Sequence, residues 1–416
     1  MNNSKHKIHI VGAGISGLIA ATVLEQHGYN PVVIEASDSI GGRVKTDIVD
    51  GYQLDHGFQV LLTAYPAAQK YLDFESLALQ EFVPGATIFK KGKRLVLGDP
   101  LRDASLLIPT LFSGIGTVSD KLKIFKLNKS LQQKTLSEIF ETKEKTTLSY
   151  LQDVGFSSDI IDNFFKPFFS GIFLEPNLAT SSRMFEYIYK MFGEGYATLP
   201  KAGIGAISEQ LVANLSNTTF QFNTKVLSVK NKVIQLNNGE RIESDFTILA
   251  TAANDLIENL KGEATSWKSC DTLYFKVPKR MVIKPVIGLI PNAETLLNNI
   301  FFHTSLEMTH RSQEELLSVT IVKEHELTEE ALVLHVQKEL KEHCGIQSTT
   351  FLKRYSIQKA LPDLTNVSYN MEPLETQLTS SIFLCGDTQL NGSLNAAMIS
   401  GESAALGVVT SIDTSM

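Results

Sequence analysis

A glycine-rich turn near the start of the chain carries the clearest chemical signal. It follows a short apolar strand beginning at Ile8 and precedes a segment whose apolar residues have helical spacing. In the pattern G-x-G-x-x-G, the first glycine permits a tight turn, the second lets backbone N–H groups approach a pyrophosphate, and the third allows close helix–strand packing. The helix start adds a partial positive charge. The predicted phosphate-binding residues are Gly12, Ala13, Gly14, Ile15, Ser16 and Gly17.

An acidic residue completes this pattern. Glu35 ends a second apolar strand, Val32–Ile34, and lies about 20 residues beyond the glycines, where a dinucleotide fold places its ribose ligand. Its carboxylate can accept hydrogen bonds from both ribose hydroxyls, and it would repel a 2′-phosphate. The order of strand, glycines, helix, strand and acid favours a nucleotide site over an ordinary strand–turn–helix. The nucleotide is predicted to be FAD or NAD, not NADP.

The next loop distinguishes FAD from NAD. Gly41, Gly42 and Arg43 follow Glu35 and Ala36 closely, and a guanidinium is a planar fork suited to pyrophosphate or flavin oxygens. The string VVIEASDSIGGRVKT resembles the FAD-binding signature of the flavin amine oxidase superfamily, which includes amine oxidases, protoporphyrinogen oxidases and phytoene desaturases. The resemblance implies that FAD is the cofactor and that Ala36, Gly41, Gly42 and Arg43 contribute to its site.

The far end of the chain resembles the same family. A buried-strand pattern over residues 381–385 ends at Gly386 and Asp387, and a helix rich in small residues follows over 392–407. By resemblance, Asp387 binds the ribityl or pyrophosphate part of FAD. The resemblance also directs the helix start toward the flavin ring, where its partial positive charge would stabilise the reduced form. The residues at that start are Leu394, Asn395 and Ala396.

Other parts of the chain are assigned to the cofactor by resemblance alone. An acid–glycine turn would run beside the isoalloxazine ring, a strand would contact adenine through its backbone, and another strand would end beside the cofactor. The residues concerned are Gly57, Phe58, Gln59, Val226 and Ala250. His56 in the same turn has two interpretations, an acid–base group or, more commonly for a turn histidine, a structural hydrogen-bonding group.

Composition excludes several other classes of protein. The chain has 416 residues, 43% hydrophobic and 20% charged, with a net charge of −7, which predicts two globular domains and argues against nucleic-acid binding. The 3 cysteines have no C-x-x-C spacing and the 9 histidines no metal-ligand spacing, so neither a disulfide framework nor a metal site is predicted. With a first strand starting by Lys7 and no apolar run of about 20 residues, we expect a cytoplasmic protein.

The cofactor segments are discontinuous, which requires interleaved domains. The predicted fold class is α/β, a Rossmann-type FAD-binding domain with an interleaved α+β substrate domain containing an antiparallel sheet. The FAD-binding domain is expected to comprise residues 1–65, 197–265 and 351–416. Residues 66–196, mostly helical, and 266–350, with strands expected over 272–277, 282–290 and 317–322, are expected to form the substrate domain.

Two segments of the substrate half have competing interpretations. Aromatic residues cluster between Phe164 and Tyr196, and such a stripe is more often core than pocket. The apolar segment 106–112 would suit either domain packing or contact with a membrane surface, with packing favoured. Peripheral membrane contact therefore stays open, and the oligomeric state is not predicted.

The chemistry is constrained by two departures from the amine oxidase pattern. Cys270 occupies the place of the lysine that binds a water at the flavin in those enzymes, and Ser393 follows Gly392 where they have an aromatic residue. The favoured function is therefore an FAD-dependent dehydrogenase or desaturase that takes a hydride from a largely apolar, isoprenoid-like small molecule. The alternatives are an amine oxidase with a non-standard pocket and an FAD-binding protein with a non-catalytic role. No catalytic residue is assigned, and the substrate pocket is expected to be mostly apolar with one or two polar anchors. The dinucleotide fingerprint occurs once, so oxygen, a quinone or a protein is the expected electron acceptor.

Overall fold

The computed structural model describes residues 6–98, 102–106, 108, 110, 113–260 and 265–414. A six-stranded sheet carries the glycine-rich turn. From edge to edge its strands are β10 (Thr219–Gln221), β2 (Val32–Ile34), β1 (Ile8–Val11), β14 (Phe246–Leu249), β21 (Ile382–Leu384) and β20 (Gln377–Thr379). All neighbours are parallel except β20, which pairs antiparallel with β21. A ligand site is therefore expected beyond the carboxyl ends of these strands.

Two helices pack unusually closely beside this sheet. They are α1 (Ile15–Gln26) and the last helix, α11 (Leu394–Asp413). A Cβ added to Gly401 of α11 would lie 2.3 Å from the backbone oxygen of Ser16, and one added to Gly17 would lie 2.0 Å from that of Gly12. The small residues thus determine the spacing of both helix–helix and helix–strand contacts, as the sequence predicted.

The second large sheet has seven strands and belongs to the other half of the molecule. From edge to edge they are β19 (Thr350–Asp363), β15 (Ser266–Val277), β18 (Glu315–Ile321), β17 (Leu297–Phe302), β16 (Ile287–Leu289), β7 (Gly85–Lys90) and β8 (Lys93–Gly98). Its pairs are antiparallel except β16–β7. Helix α10 (Glu329–Glu339) buries Leu332 and Val336 against one face.

Three small sheets connect these parts. One comprises β11 (Val226–Lys230), β12 (Val233–Leu236) and β13 (Arg241–Glu243), another β3 (Thr46–Val49) and β4 (Tyr52–Asp55), and the third β5 (Leu61–Leu62), β9 (Ala197–Leu199) and β6 (Gln80–Glu81). The first is an antiparallel three-stranded meander.

Most of the remaining helices lie between residues 66 and 213. They are α2 (Pro66–Tyr71), α3 (Val118–Gln133), α4 (Leu136–Glu141), α5 (Thr147–Asp153), α6 (Ser158–Ile160), α7 (Lys166–Phe173) and α8 (Ser182–Glu194), with α9 (Ala206–Ala213) further along the chain. π-Helical turns occur at Ile161–Phe165 and Leu340–Cys344. Short 3₁₀ turns are Ala104–Leu106, Ala253–Asp255, Glu258–Leu260, His303–Ser305, Pro373–Thr376 and Asp387–Gln389.

The structure corrects two sequence-based expectations about this half. Residues 85–98, within a region predicted to be mostly helical, form the hairpin β7–β8, because β16 offers a free edge with which β7 can pair. The strand expected over residues 282–290 is only Ile287–Leu289. Both depend on partners distant in sequence, which a local pattern cannot reveal.

Candidate functional site

A large cavity extends from the carboxyl ends of the parallel strands into the helical block. Its volume is about 2240 Å³, whereas a pocket for one small ligand usually measures about 300–1,000 Å³. It therefore has room for a dinucleotide and a second molecule. Most residues assigned to the cofactor line it, namely Gly12, Gly14, Ile15, Ser16, Glu35, Gly41, Gly42, Arg43, Gly57, Phe58, Gln59, Ala250, Gly386, Asp387 and Leu394.

The glycine-rich turn predicted to bind phosphate lines this cavity. Gly12 has a φ of +107°, a conformation that glycine adopts without strain. A Cβ added to Gly14 would meet no atom within 4 Å, so the backbone there faces open space. Helix α1 begins beside it without a side-chain cap, which leaves the N–H groups of its first turn for an anionic ligand.

Glu35 is held rigidly at the end of β2. Its Oε2 accepts a hydrogen bond from the N–H of Ala13 at 2.8 Å, and its Oε1 accepts from the N–H and hydroxyl of Ser37 at 2.8 and 2.7 Å. A carboxylate has about four acceptor sites, so about one remains for a ribose hydroxyl. The sequence predicted two ribose bonds. The difference arises because Ser37 folds back onto the carboxylate.

An ion pair crosses the middle of the cavity. The Arg43 Nη2 lies 2.5 Å from Asp387 Oδ1, and its Nη1 donates to the carbonyl of Ala360 at 3.2 Å. The guanidinium also lies 5.2 Å from the centre of the Trp267 ring. Arg43 and Asp387, assigned to the FAD site from opposite ends of the chain, thus form one unit, and a ligand reaching them would meet paired charges.

Some assigned residues do not line the cavity. Asn395 is fully buried, and its Oδ1 accepts from the N–H of Ala67, tying α11 to α2. Val226 packs in a hydrophobic cluster with Ile34 and Leu249. Strand alternation and helix rotation turn these side chains away. The full set outside the lining is Ala13, Gly17, Ala36, Val226, Asn395 and Ala396.

The turn that follows β4 lies at the centre of the cavity wall. The Asp55 carboxyl is buried and accepts from the Thr46 hydroxyl at 2.6 Å and the N–H of Ile204 at 3.0 Å. Burial raises its pKa to about 6 despite these hydrogen bonds. Loss of hydration is therefore the dominant influence on this group, and its proton affinity depends on the surrounding packing.

His56 adjoins this turn and contacts two other polar side chains. Its Nε2 lies 3.0 Å from Asp47 Oδ2, and its ring centre lies 4.5 Å from that of Tyr355. The Tyr355 hydroxyl donates to the same Asp47 oxygen at 2.7 Å, and these contacts lower the pKa of Asp47 against the opposing effect of desolvation. These contacts support the structural interpretation of His56. Both His56 and Tyr355 also line the cavity, so the His56 ring remains accessible to a ligand there.

Aromatic side chains from two helices line the far end of the cavity. The rings of Phe164 and Phe168 stack at 5.6 Å, and Phe168 lies 5.5 Å from Phe192. Their neighbours Phe165 and Phe185 are fully buried. The aromatic stretch is therefore both core and wall: one side of α7 and α8 packs inward, and the other side lines the cavity.

Charged groups at this end are more numerous than the one or two polar anchors that the sequence predicted. Several already have protein partners: Arg102 donates to two backbone carbonyls, Lys145 pairs with Asp153, and Lys268 lies 3.3 Å from Asp363 Oδ1. Such pairing limits the cost of placing charges beside an apolar wall. The charged lining residues here are Arg102, Lys121, Glu144, Lys145, Glu175 and Lys268.

Two neighbouring polar residues form part of the floor of the cavity. Asn299 on β17 and Thr320 on β18 line it and lie directly opposite each other, and Asn299 Nδ2 donates to the Thr320 hydroxyl at 3.2 Å. Cys270 also lines the cavity, and burial raises the pKa of its thiol to about 12. The group in the family's lysine place is therefore a neutral thiol.

Sequence reasoning missed Trp267, Lys268, Tyr355, Asn299 and Thr320. Each lines the cavity from a strand of the seven-stranded sheet. Alternation along β15 and β19 indicates which residues share a face, but it does not say which face meets the cofactor half. No motif marks these residues.

The cofactor end of the cavity fits FAD. Open space at Gly14, a helix start without a side-chain cap, and an acid at the ribose position meet the needs of a dinucleotide, and the long cavity beyond them accommodates a flavin. Among the described residues, no group of three or more His, Cys, Asp or Glu side chains is placed to bind a metal, and no helix within them is long and apolar enough to cross a bilayer.

Comparisons with known proteins agree with this geometry. The family model described as flavin containing amine oxidoreductase matches residues 15–409. Protoporphyrinogen oxidase 2 of Arabidopsis thaliana is 27% identical over 169 residues, which is 40% of this chain and 32% of the relative. L-Amino acid oxidase Bs29 of Bothriechis schlegelii is 33% identical over 158 residues, 36% of this chain and 30% of the relative. These matches span about a third of the relatives' length.

The fold is shared over nearly the whole chain. A structure of wild-type putrescine oxidase bound to putrescine superimposes with a TM-score of 0.71 at 16% identity, covering 97% of this chain and 99% of that one. The predicted α/β fold class is thereby confirmed, and the family match confirms FAD as the cofactor. The protein belongs to the flavin-containing amine oxidoreductase family.

Proposed function

We propose that the protein is a dehydrogenase or desaturase that removes a hydride from a largely apolar, isoprenoid-like molecule. The observation that carries the proposal is the aromatic wall of Phe164, Phe168 and Phe192, on the cavity beyond the glycine-rich turn. Bound FAD supplies the hydride acceptor. The wall excludes water and contacts an unsaturated chain along its length, and positioning a C–H bond is the protein's main task in such a reaction.

The polar floor would orient this substrate. Asn299 and Thr320 offer hydrogen-bonding groups within an apolar surface, which suits a molecule with one oxygen-containing end. The neutral thiol of Cys270 neither attracts a cation nor binds a water as an ammonium would. We therefore assign the floor to orientation and name no proton-transferring residue.

We propose that the cofactor is bound by the residues assigned from the sequence. The segments 1–65, 197–265 and 351–416 would form its domain, and 66–196 with 266–350 the substrate domain. Support comes from the assigned residues gathered along the cavity.

The dinucleotide fingerprint occurs once in the chain, so we further propose oxygen, a quinone or a protein as the electron acceptor. The three free thiols suit a reducing compartment, and we propose the cytoplasm.

Amine oxidation is the second candidate function, and the position of Lys268 supports it. This lysine lies two residues before Cys270 on β15 and lines the cavity. Its Nζ lies 3.3 Å from Asp363 and 3.1 Å from the Thr180 hydroxyl. A lysine held in this way is directed toward its carboxylate partner, so we rank amine oxidation below the apolar substrate.

Anaerobic mixing of the holoprotein with a substrate panel tests the proposal. Detergent-dispersed prenyl alcohols and polyenes should bleach the flavin absorbance, whereas benzylamine and spermine should not. After reduction, oxygen or a soluble quinone should restore the absorbance faster than NAD⁺ or NADP⁺. Rapid bleaching by either amine, with none by the apolar compounds, would establish amine oxidation in its place.

A further inference from the structure

An exposed apolar stripe runs along α3 at the mouth of the cavity. Val118, Leu122 and Phe125 are 73%, 60% and 52% exposed, and their i, i+4, i+7 spacing places them on one face of the helix. All three also line the cavity. Single exposed apolar side chains are common on protein surfaces, but a contiguous group at a cavity mouth indicates an interaction site.

Lysines flank this stripe. Lys126 and Lys129 are exposed on the same helix, and the only acidic residue of α3, Asp120, is buried and accepts hydrogen bonds from Thr117 and Ser157. The solvent-facing side of α3 is thus cationic as well as apolar. The chain as a whole has a net charge of −7. The excess of positive charge on this side of α3 therefore differs from the average of the chain.

The β7–β8 hairpin adds further cations beside the start of α3. Its tip, residues 90–94, has the sequence KKGKR. The Nζ of Lys90 lies 3.4 Å from Asp159 Oδ1, and Asp159 Oδ2 accepts from the N–H of Gly116, two residues before α3. One carboxylate therefore joins the hairpin tip to the beginning of the apolar stripe. We call the stripe, its flanking lysines and this tip the mouth face.

We propose that the mouth face docks on a bilayer containing anionic lipid. The proposal rests on the proposed function, since it specifies how an apolar substrate would enter. Apolar side chains between lysines match the layering of a membrane, with acyl chains below anionic headgroups. The cavity opens at the same place, so an apolar molecule would pass from the acyl chains to the aromatic wall without crossing water. A protein partner would not require this alignment of cations, apolar stripe and cavity mouth.

Of the segment 106–112, the source of the membrane hypothesis from sequence, the structure describes residues 106, 108 and 110. Leu106 is buried, and Ile108 is 69% exposed. Residues 107, 109, 111 and 112 lie outside the described part of the chain. The proposal is therefore based on α3 and the hairpin tip.

Vesicle co-sedimentation of the purified holoprotein tests the docking. The wild type should bind vesicles of phosphatidylcholine mixed with phosphatidylglycerol, bind phosphatidylcholine alone weakly, and be released by high salt. Lys126→Gln/Lys129→Gln should weaken binding to the mixed vesicles about thirtyfold, about fivefold for each lysine. Leu122→Ser/Phe125→Ser should weaken binding to both kinds of vesicle.

A matched control is available on α10, none of whose residues lines the cavity. Leu334 is 68% exposed there, and Lys338 and Lys341 are exposed nearby. Leu334→Ser and Lys338→Gln/Lys341→Gln should bind vesicles as the wild type does, and circular dichroism should show that all variants are folded.

Absence of wild-type binding to the mixed vesicles, or equal losses in the mouth-face and α10 variants, would overturn the docking proposal. Neither result bears on the proposed function, because flavin reduction is measured with detergent-dispersed substrate and needs no bilayer. Conversely, vesicle binding by a protein whose flavin no apolar compound reduces would leave the docking intact and reject the substrate.

Discussion

The two ends of the cavity are constructed differently. At the cofactor end, the Gly12–Gly17 turn and the start of α1 present backbone groups to the ligand. At the substrate end, side chains from α3, α7, α8 and the seven-stranded sheet form the wall and floor. A backbone-built site has little tolerance for added atoms, while a side-chain-built site tolerates replacement and can change its ligand. The family accordingly shares FAD chemistry among proteins with different substrates.

The largest expected effect is at the backbone-built end. In Gly17→Ala the new Cβ would lie 2.0 Å from the backbone oxygen of Gly12, so the strand and helix must separate. We expect a loss of stability of about 3 kcal/mol or more and a protein without flavin, measured by denaturant unfolding and by absorbance. Gly193→Ala on α8, where the Cβ would meet no atom within 4 Å, should keep both. A stable yellow Gly17→Ala protein would contradict the comparison.

A buried carboxyl near the junction of the two ends gives a pH-dependent prediction. Because burial raises the pKa of Asp55 to about 6, the folded state favours its protonated form, and wild-type stability falls as pH rises from about 4 to about 6. Relative to Asp55→Asn, which does not titrate, the wild type should lose about 2 kcal/mol across this range. The loss should become constant above about pH 7. Unfolding free energies of both proteins between pH 4 and pH 8 measure it, and a difference that is independent of pH would show that burial does not control this group.

Side-chain recognition at the cofactor end should have an intermediate effect. The Glu35 carboxylate accepts hydrogen bonds from Ala13 and Ser37 and has about one acceptor site free for a ribose hydroxyl. Glu35→Ala removes all of these interactions. A hydrogen bond to a charged group contributes about 1.5–3 kcal/mol, so the Kd for FAD should rise about tenfold to a hundredfold, measured by flavin fluorescence. Asp38→Ala, at an exposed position nearby, is the control. An unchanged Kd in Glu35→Ala would mean that the backbone alone holds the nucleotide.

The smallest effect is expected at the substrate end. Phe164→Ala shortens a partly exposed wall residue, and losing part of an apolar contact costs about 1–3 kcal/mol. We expect kcat/KM for an apolar substrate to fall at least about tenfold, while the flavin absorbance per mole of protein stays that of the wild type. Loss of flavin in this variant would show that the two ends are not independent.

Prediction from sequence succeeded where neighbours along the chain determine the structure. The β1 strand, the glycine turn, α1 and Glu35 lie within one continuous segment, and their order alone specifies a dinucleotide turn. It was incomplete for Glu35 itself, since Ser37 takes part of the acceptor capacity expected for ribose. It failed for the β7–β8 hairpin, whose pairing depends on β16, about half the chain away.

The sequence by itself determined the FAD cofactor and the α/β fold class and predicted the residues of the dinucleotide site, because these depend on short motifs with specific backbone requirements. Only the tertiary structure decided that Arg43 pairs with Asp387, that Lys268 and Asn299 line the cavity, and that the apolar stripe of α3 lies at its mouth. The physical reason is that side-chain partners and exposed faces are set by packing between segments far apart in the chain. Alternation and helical spacing specify a face but not what that face meets.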